Sequence, residues 1–386
     1  MRLKSLSYYE RQSDVKGWSV SGFMLEPINL IVGKNATGKT RTLNVINFLG
    51  LLLSGTRKPG EISTGSYEVI FDHEGRTLKY VLNIADYKVI YELFSDDDRI
   101  LLVRRDGGVG KIFHEKEGRD LEFQTPETDA AVVARQDTIQ HSFLRPLNDW
   151  GLGVRHYSFG EMMGRNTIGL LVEDGPSPDP KNTEDVVGLF RRGVEQYPSE
   201  FKNAVLKAMN EMGYDLEDIR LVTPSKIKVQ TNSTLPITTF YLGVKERQLE
   251  EITEQIDISQ GMFRALSVII HLQYAIRGEH PSCILIDDIG EGLDFDRSCK
   301  LIDIIRRNAK DSDIQLVMST NDRFVMNNVP LEEWSLLSRK AGIVKVHNFQ
   351  NSQTAFENFK FTGLNNFDFL AMDFINESDA FLVGAN

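Results

Sequence analysis

The sequence has little of what marks a secreted or membrane protein. Its 386 residues include two cysteines, Cys283 and Cys299, which are too few for a disulfide framework and are typical of a reducing compartment. No apolar run approaches the roughly 20 residues of a membrane span, and the first residues are too polar for a signal peptide. We therefore expect a cytoplasmic protein with no membrane segment.

Positively charged residues are also in the minority. The chain has 44 lysines and arginines and 55 aspartates and glutamates, which gives a formal charge of −11. This balance excludes a generally cationic nucleic-acid-binding surface, although a local basic stripe remains open. The seven histidines are scattered, and neither cysteine has a partner at metal-ligand spacing, so no zinc or metal-nuclease site is predicted. We interpret His141 and His156 as surface or structural residues.

The pattern of apolar residues changes along the chain and predicts an α/β core with two additions. Residues 1–125 open with strands and a helix, then alternate between apolar and polar residues as an antiparallel meander does. Residues 126–225 are predicted to be a mainly helical insertion or lid, with a loop at 173–182. Residues 226–328 return to alternating strand and helix, and 329–386 form a C-terminal packing or docking tail.

A phosphate-binding loop is the strongest motif in the chain. The motif G-x-x-x-x-G-K-[ST] is matched in full by Gly33, Lys34, Asn35, Ala36, Thr37, Gly38, Lys39 and Thr40. Glycines let successive backbone N–H groups face a phosphate, and the helix that follows adds the positive end of its dipole. Lys39 is predicted to bind the β- and γ-phosphates, and the Thr40 hydroxyl to ligate Mg²⁺. The loop therefore predicts a site for a nucleotide and Mg²⁺.

An apolar run that ends in two carboxylates, Asp287 and Asp288, predicts a buried strand of the Walker B type. Asp287 is expected at the magnesium ion, directly or through water, and Asp288 where it can polarise the attacking water. Before this run, Ser259 and Gly261 open an apolar helix and leave backbone N–H groups for an anion. A plain helix cap is the alternative interpretation of that pair.

Together these motifs resemble the ABC-type ATPase heads of the SMC and RecF group, and most closely the compact bacterial ATPases of the OLD, PtuA and AriA kind. The resemblance covers residues 1–328 and rests on five motifs in the order of that group. They are the P-loop at 33–40, the signature at 258–262, Walker B at 283–288, the D-loop at 292–294 and the switch region at 319–322. The fold it implies is a P-loop NTPase of the α/β class.

In that group two heads enclose two ATP molecules, so the resemblance implies a homodimer or a higher even oligomer. Ser259 and Gly261 are then expected to contact ATP that is bound to the P-loop of a partner chain. Two residues depart from the group: the catalytic glutamate is replaced by Asp288, and the switch histidine by Asn321. The shorter carboxylate and an amide that carries no proton predict slow turnover.

Several residues keep two interpretations. Gln124 and Gln136 are candidates for the Q-loop glutamine, or ordinary polar residues. Trp18 is expected to stack near adenine or to pack in the core. The aromatic, acidic tail at 359–381 is a packing segment or a docking strip. The basic doublets form a groove only in a dimer, or are solvated faces: Arg104-Arg105, Arg191-Arg192 and Arg306-Arg307.

The sequence therefore predicts an ATP-gated dimeric switch, in which Lys39, Asp288 and Asn321 serve catalysis. From the resemblance we expect the sensor of an anti-phage defence system that controls a separate effector, a nuclease or a toxin. OLD-type relatives carry a C-terminal nuclease domain, and about 60 residues after the switch region are too few for one. The alternatives are a RecF-like ATPase that binds duplex DNA directly, and a protein that uses ATP as structural glue. The ATPase subunit of a transporter is a weaker alternative, because the short heads of transporters have no counterpart of residues 66–255.

Overall fold

The computed structural model describes residues 1–10, 17–171, 178–225, 238–278 and 281–375. The predicted loop at 173–182, the return to strands at 226 and the tail beyond 375 lie wholly or partly outside these residues. The strands are β1 (Arg2–Glu10), β2 (Trp18–Met24), β3 (Ile28–Val32), β4 (Thr64–His73), β5 (Arg76–Ala85), β6 (Lys88–Asp96), β7 (Arg99–Arg105), β8 (Val109–His114), β9 (Arg119–Gln124), β10 (Val154–Ser158), β11 (Gly169–Leu171), β12 (Leu216–Val222), β13 (Thr238–Glu246), β14 (Thr253–Glu254), β15 (Cys283–Asp287), β16 (Gln315–Ser319), β17 (Trp334–Lys340) and β18 (Ile343–Asn348).

Helices connect and cover these strands. They are α1 (Lys39–Leu53), α2 (Ala131–Ala134), α3 (Arg145–Leu152), α4 (Val186–Gln196), α5 (Pro198–Glu211), α6 (Gln260–Gly278), α7 (Phe295–Asp311), α8 (Arg323–Asn328), α9 (Gln353–Lys360) and α10 (Asn366–Ala371). In the described part of the chain, no helix is long and apolar enough to cross a membrane.

Fourteen of the strands form one sheet, in the order β10-β15-β16-β3-β17-β18-β2-β1-β4-β5-β6-β7-β8-β9. The first five run parallel to one another, and β4 to β9 form an antiparallel meander. This arrangement confirms the predicted α/β class with an antiparallel β subdomain. Because the carboxyl ends of parallel strands share one edge, the loops after β3, β15 and β16 lie side by side there.

Side chains of the parallel strands alternate between two cores, one on each face of the sheet. Leu30 and Val32 of β3 enter one core, and Ile31 between them enters the other. Ile284 and Leu285 of β15 divide in the same way. Strands buried on both faces read as continuous apolar runs, because each residue faces one core or the other. Full burial of each such side chain stabilises the fold by about 1.5–3 kcal/mol.

The middle of the chain contains a second sheet as well as helices. Strands β11, β13 and β12 form it, with β14 paired to β13, and α4 and α5 pack against α6. This sheet was not predicted, because its central strand β13 belongs to the following region and β11, where Gly169 pairs with Phe240, is distant in sequence. The same segment supplies β10, which pairs in parallel with β15 at the edge of the large sheet.

The region after residue 329 contributes to the large sheet and to an aromatic cluster. Strand β17 pairs with β3, the strand that precedes the P-loop, and β18 pairs with β2. Beyond them α9 and α10 bring together Phe356, Phe359, Phe369 and Phe374. Phe361, between these helices, is 89% exposed. The division into four regions stays a prediction, although one sheet draws strands from all four.

Candidate nucleotide-binding site

The P-loop follows β3 and ends where α1 begins at Lys39. Gly38 precedes α1 with φ +106°, a backbone conformation that glycine adopts at little cost. At Gly33, a Cβ atom would lie 2.7 Å from the Thr37 hydroxyl oxygen and 3.0 Å from the Leu337 carbonyl oxygen. Both glycines are therefore required by the path of the loop, which is the kind of glycine-containing turn before a helix that binds phosphate.

Lys39 lies in the loop rather than in solvent. Its side chain is buried, and Nζ donates a hydrogen bond of 2.9 Å to the carbonyl oxygen of Gly33. Burial lowers the pKa of Lys39, and the nearby carboxylates of Asp288 and Asp287 oppose that shift. The ammonium group is thus held inside the loop, with acceptors that a phosphate oxygen can replace.

The two aspartates at the end of β15 have different surroundings. Asp287 is buried and accepts a hydrogen bond from the Ser319 hydroxyl, whose oxygen also accepts one of 3.0 Å from the Asp288 backbone N–H. Ser319 ends the neighbouring strand β16 and so joins the two strand ends. The sequence placed Ser319 in the switch region but did not predict its hydrogen bond to Asp287, which depends on the strand order.

Asp288 adopts φ +51° directly after β15, which turns its carboxylate away from the strand. Burial raises the pKa of Asp288, and the charges of Asp287 and Glu291 raise it further, while Lys39 and Asn321 oppose the shift. Asn321 donates a hydrogen bond of 3.1 Å to Asp288 Oδ1. A carboxylate with a raised pKa, held by an amide, is suited to orient a water molecule.

A cleft of about 390 Å³ joins these elements. Its lining contains the predicted residues Asn35, Ala36, Gly38, Lys39, Thr40, Asp288 and Asn321. The dimensions and the donor set fit the phosphates of a nucleotide, with Lys39 and the start of α1 on one side and Asp288 on the other. The predicted Lys34 and Thr37 line an adjoining cleft of about 390 Å³ on the side of β17 and α10.

Thr40 and Asp287 are the predicted magnesium ligands. Thr40 is exposed in the first turn of α1, and Asp287 is fixed by Ser319 at the end of β15. Among the described residues, no group of three or more histidine, cysteine and acidic side chains could hold a metal ion alone. A nucleotide-bound Mg²⁺ needs only one or two protein ligands beside phosphate oxygens and water, so the pair fits such an ion.

Two arginines of the cleft were missed by sequence reasoning. Arg339 of β17 donates a hydrogen bond of 3.0 Å to the Ala36 carbonyl oxygen and lines the clefts on both sides of the loop. The guanidinium carbon of Arg41 lies 4.4 Å from the ring centroid of Trp18. Trp18 is 2% exposed, and its ring centroid lies 6.1 Å from that of Tyr8. Trp18 nevertheless lines the P-loop cleft, so it packs in the core and also faces the cleft, and both interpretations of this residue stay open.

The predicted signature lies in a different cleft, of about 420 Å³. Ser259 precedes α6, and its Oγ accepts a hydrogen bond of 3.4 Å from the Met262 backbone N–H. Gly261 packs so closely on the D-loop that a Cβ atom would lie 2.7 Å from the Gly292 carbonyl oxygen. Among the described residues none lines both this cleft and the P-loop cleft, so Ser259 and Gly261 lie outside the P-loop cleft of their own chain.

Arg264 of α6 ties the signature helix to the Walker B region and was not predicted. Its guanidinium donates to the carbonyl oxygens of Gly160, of Glu161 at 2.9 Å and of Glu291 at 3.3 Å. Gly160 follows β10, and a Cβ atom there would lie 3.5 Å from the Asp288 Cβ. No local sequence pattern predicted these bonds of Arg264, because each residue that it contacts is at least 27 positions away along the chain.

Neither candidate for the Q-loop glutamine lines the clefts described above. Gln124 ends β9, the strand at the far edge of the large sheet, and donates to the Gly107 carbonyl oxygen at 3.4 Å. Gln136 follows α2, and its backbone N–H donates to Val133. The loop that does reach Asp288 follows β10 and contains glycine and glutamate instead.

The remaining candidate residues have structural surroundings. His141 is buried, with Nδ1 2.9 Å from the Arg135 carbonyl oxygen, and burial lowers the pKa of His156. Most arginines of the basic doublets form ion pairs with carboxylates. Arg104 is fully buried beside Glu92, and the others pair as Arg191 with Glu195, Arg306 with Glu333 and Arg307 with Glu211. Arg104 therefore cannot contribute to a nucleic-acid groove.

No protein-family profile matches the chain, and no curated protein sequence matches it significantly. Solved structures do match the chain. The Smc head bound to the C-winged helix domain of ScpA superposes with a TM-score of 0.52 at 13% identity, over 90% of this chain and 97% of that one.

Two further SMC head domains give lower scores. The one from Thermotoga maritima has a TM-score of 0.43 at 11% identity, over 90% of this chain and 99% of that one. The one from Pyrococcus furiosus, with an extended coiled coil and bound to the C-terminal domain of ScpA, has a TM-score of 0.44 at 11% identity, over 93% and 99%. From the likeness to the first structure, the chain has the fold of an SMC head, which is an ABC-type P-loop ATPase fold.

Proposed function

We propose that this protein binds ATP with Mg²⁺ and hydrolyses it slowly, as a dimer that ATP assembles. The observation that carries the proposal is the single cleft in which Lys39, Asp288 and Asn321 meet at the P-loop. The fold supports the same activity, since the likeness to a solved Smc head is a likeness to an ABC-type ATPase fold.

In this proposal each residue has one task. The P-loop N–H groups and Lys39 bind the β- and γ-phosphates, and Thr40 and Asp287 hold the metal ion. Bound Mg²⁺ would supply charge stabilisation for the transferred phosphoryl group. Asp288 accepts a hydrogen bond from the attacking water, and Asn321 fixes the Asp288 carboxylate. Because aspartate is one methylene shorter than glutamate and asparagine carries no proton, we expect a slow rate.

The dimer follows from the separation of the two clefts. Ser259 and Gly261 have backbone donors at the start of a 19-residue helix, but their own P-loop opens into another cleft. A second copy that places its P-loop against this surface would bring both halves together. ATP would then lie between the copies and control their association.

Nucleotide binding is tested first, by calorimetry with ATP and Mg²⁺ on the wild-type chain and on Lys39→Ala. Loss of the phosphate-binding ammonium should weaken ATP binding by about 100-fold, since charge-assisted bonds to phosphate are among the strongest. Lys345→Ala, an exposed lysine of β18, is the control and should bind as the wild type does. Equal affinities of wild type and Lys39→Ala would contradict the assignment.

Association is tested by native mass measurement with and without ATP and Mg²⁺. We expect a dimer that requires nucleotide and is lost in Ser259→Arg, whose side chain would fill the signature cleft. Ser312→Arg, after the end of α7, is the matched control and should still dimerise. A monomer that ATP does not change would refute the dimer.

For the biological role, we propose a sensor or scaffold of a bacterial anti-phage defence system that controls a separate nuclease or toxin. This rests on the resemblance to compact defence ATPases, and the solved Smc head with a bound ScpA domain supports partner docking on this fold. Plaque counts on bacteria that carry the chain with its native neighbouring genes test it. Protection that disappears with Lys39→Ala supports the role, and equal plaque counts contradict it.

The alternative, a RecF-like ATPase that binds duplex DNA directly, has less support because Arg104 is buried and Arg191, Arg306 and Arg307 pair with carboxylates. DNA-stimulated hydrolysis with a steep salt dependence would favour it. A purified protein in which bound ATP stays intact would instead favour the hypothesis of a protein that does not hydrolyse ATP and uses it as structural glue.

A further inference from the structure

The signature cleft is lined by more negative than positive side chains. Three carboxylates face it, from Glu246, Asp257 and Asp294, beside Ser259 and Gly261. A phosphate group that approached this surface would meet like charges, which disfavour its binding. The start of α6 contributes a partial positive charge. Further positive charge must come from a side chain.

Among the described residues, Arg297 is the one cation that lines this cleft. It lies in the first turn of α7 and is held from two sides. Its guanidinium carbon is 4.4 Å from the ring centroid of Tyr214, and Nη1 pairs with the carboxylate of Asp294. A guanidinium stacked on an aromatic ring and braced by a carboxylate is preorganised, so little conformational entropy is lost when it binds a ligand.

The hydrogen bonds of Arg297 are incomplete. Nε is buried and has no hydrogen-bond partner, while the side chain as a whole is 37% exposed. Because Nε is enclosed, a ligand in the cleft would contact the exposed end of the guanidinium, whose Nη1 also pairs with Asp294. Planar guanidinium groups bind phosphate oxygens with two parallel N–H donors. Arg297 therefore has the charge and the geometry for a phosphate, and it stands beside the signature residues.

We propose that Arg297 donates to the γ-phosphate of ATP bound at the P-loop of a second copy of this chain, and stabilises the charge that develops there during hydrolysis. The inference rests on the proposed ATP-dependent dimer and adds a catalytic residue that acts in trans. The second copy is required because no described residue lines both clefts, so Arg297 is not at the P-loop cleft of its own chain.

A purely structural role is the rival explanation. Asp294 caps α7 by accepting a hydrogen bond of 3.0 Å from the Arg297 backbone N–H, so the side-chain pair could serve only the helix start. Arg297→Ala keeps the backbone bond and removes the guanidinium. Arg307→Ala is the matched control on the same helix, because Arg307 is exposed, pairs with Glu211 and does not line the cleft.

Steady-state hydrolysis is the first measurement. Arg297→Ala should lower kcat about 100-fold, as loss of a donor to developing charge does, with ATP binding by the monomer unchanged. Arg297→Lys should recover part of the rate, because it restores charge without the planar fork. Arg307→Ala should match the wild type, and melting curves should show both alanine variants folded. A wild-type rate in Arg297→Ala would overturn the proposal.

Mixed dimers distinguish action in trans from action in cis. In a mixture of Lys39→Ala with Arg297→Ala, a mixed dimer has one site with both defects and one with neither. If Arg297 acts in trans, the mixture hydrolyses ATP at about a quarter of the wild-type rate, since half of the particles are mixed and each has one intact site. Action in cis leaves no intact site, and the mixture stays as inactive as its components.

A second readout applies if wild-type hydrolysis is too slow to follow. In an Asp288→Asn background, the ATP concentration that gives half-maximal dimer should rise at least about tenfold with Arg297→Ala, because one charge-assisted contact is lost. An unchanged midpoint overturns the inference and leaves the dimer intact. A wild-type chain that neither dimerises nor hydrolyses with ATP refutes the proposed function itself.

Discussion

The side-chain amide of Asn321 donates a hydrogen bond of 3.1 Å to the carboxylate of Asp288. The two residues follow different strands and lie 33 positions apart, and they meet because β15 and β16 are parallel neighbours. In this structure the asparagine of the switch region therefore holds the carboxylate. Its loss should change the titration of Asp288.

Asn321→Ala is predicted to move the acid limb of the pH–rate profile to higher pH. Asn321 is one of the groups that oppose the raised pKa of Asp288, so its removal raises that pKa further. The carboxylate is then protonated, and inactive, over a wider range. We expect the acid limb to lie at higher pH than in the wild type and the rate at pH 7 to be slower. Asn328→Ala, which removes a side-chain hydrogen bond to Asp303, is the control. A pH–rate profile of Asn321→Ala equal to that of the wild type would refute the role of Asn321.

Arg104→Met is predicted to destabilise the meander by about 3–5 kcal/mol at pH 8, because it leaves the buried carboxylate of Glu92 without its partner. Burial raises the pKa of Glu92 and Arg104 opposes that shift, so the variant raises it further. A carboxyl with a raised pKa in the folded state takes up a proton on folding, and the destabilisation should shrink as pH falls.

Chemical denaturation at pH 5, 6.5 and 8 measures this effect. Arg105→Met, which replaces the exposed neighbour, should change the free energy of unfolding by less than about 0.5 kcal/mol. A loss of stability in Arg104→Met that is the same at all three pH values would contradict the titration of Glu92.

Arg264→Ala is predicted to lower stability by about 1–3 kcal/mol, because the carbonyl groups of Gly160, Glu161 and Glu291 lose their donor. The loop after β10 packs on Asp288, so hydrolysis should fall more than ATP binding does. Thermal melting and calorimetry measure the two effects. Arg277→Ala near the end of the same helix is the control, and an equal loss in both variants would exclude a specific role for Arg264.

Gly261→Ala is predicted to abolish the ATP-dependent dimer while the monomer still binds ATP. The new Cβ would lie 2.7 Å from the Gly292 carbonyl oxygen, so the signature and the D-loop must separate. Overpacking of this kind costs about 1–3 kcal/mol. Gly278→Ala, whose Cβ would meet only the movable Tyr197 hydroxyl at 3.2 Å, should dimerise normally. Native mass measurement with ATP compares the two, and a normal Gly261→Ala dimer would remove the signature from the interface.

The antiparallel meander shows what periodicity can predict. Alternation of apolar and polar residues marked β4 to β7 because one residue in two faces the core, and hairpins pair neighbours in sequence. The small sheet of β11 to β14 was not predicted, since β11 has 3 residues, β14 has 2, and β11 pairs with a strand about 70 residues away. Local patterns carry no information about such a partner.

The sequence by itself determined the P-loop, the Walker B strand and the alternation of strand and helix. Each of these depends on neighbours within about ten residues, through backbone conformation and the period of burial. Only the tertiary structure decided that Ser319 fixes Asp287, that Arg339 reaches the P-loop from β17, and that Arg297 stands beside the signature. These contacts join residues that are distant in sequence, and they exist because the strand order places the ends of parallel strands side by side.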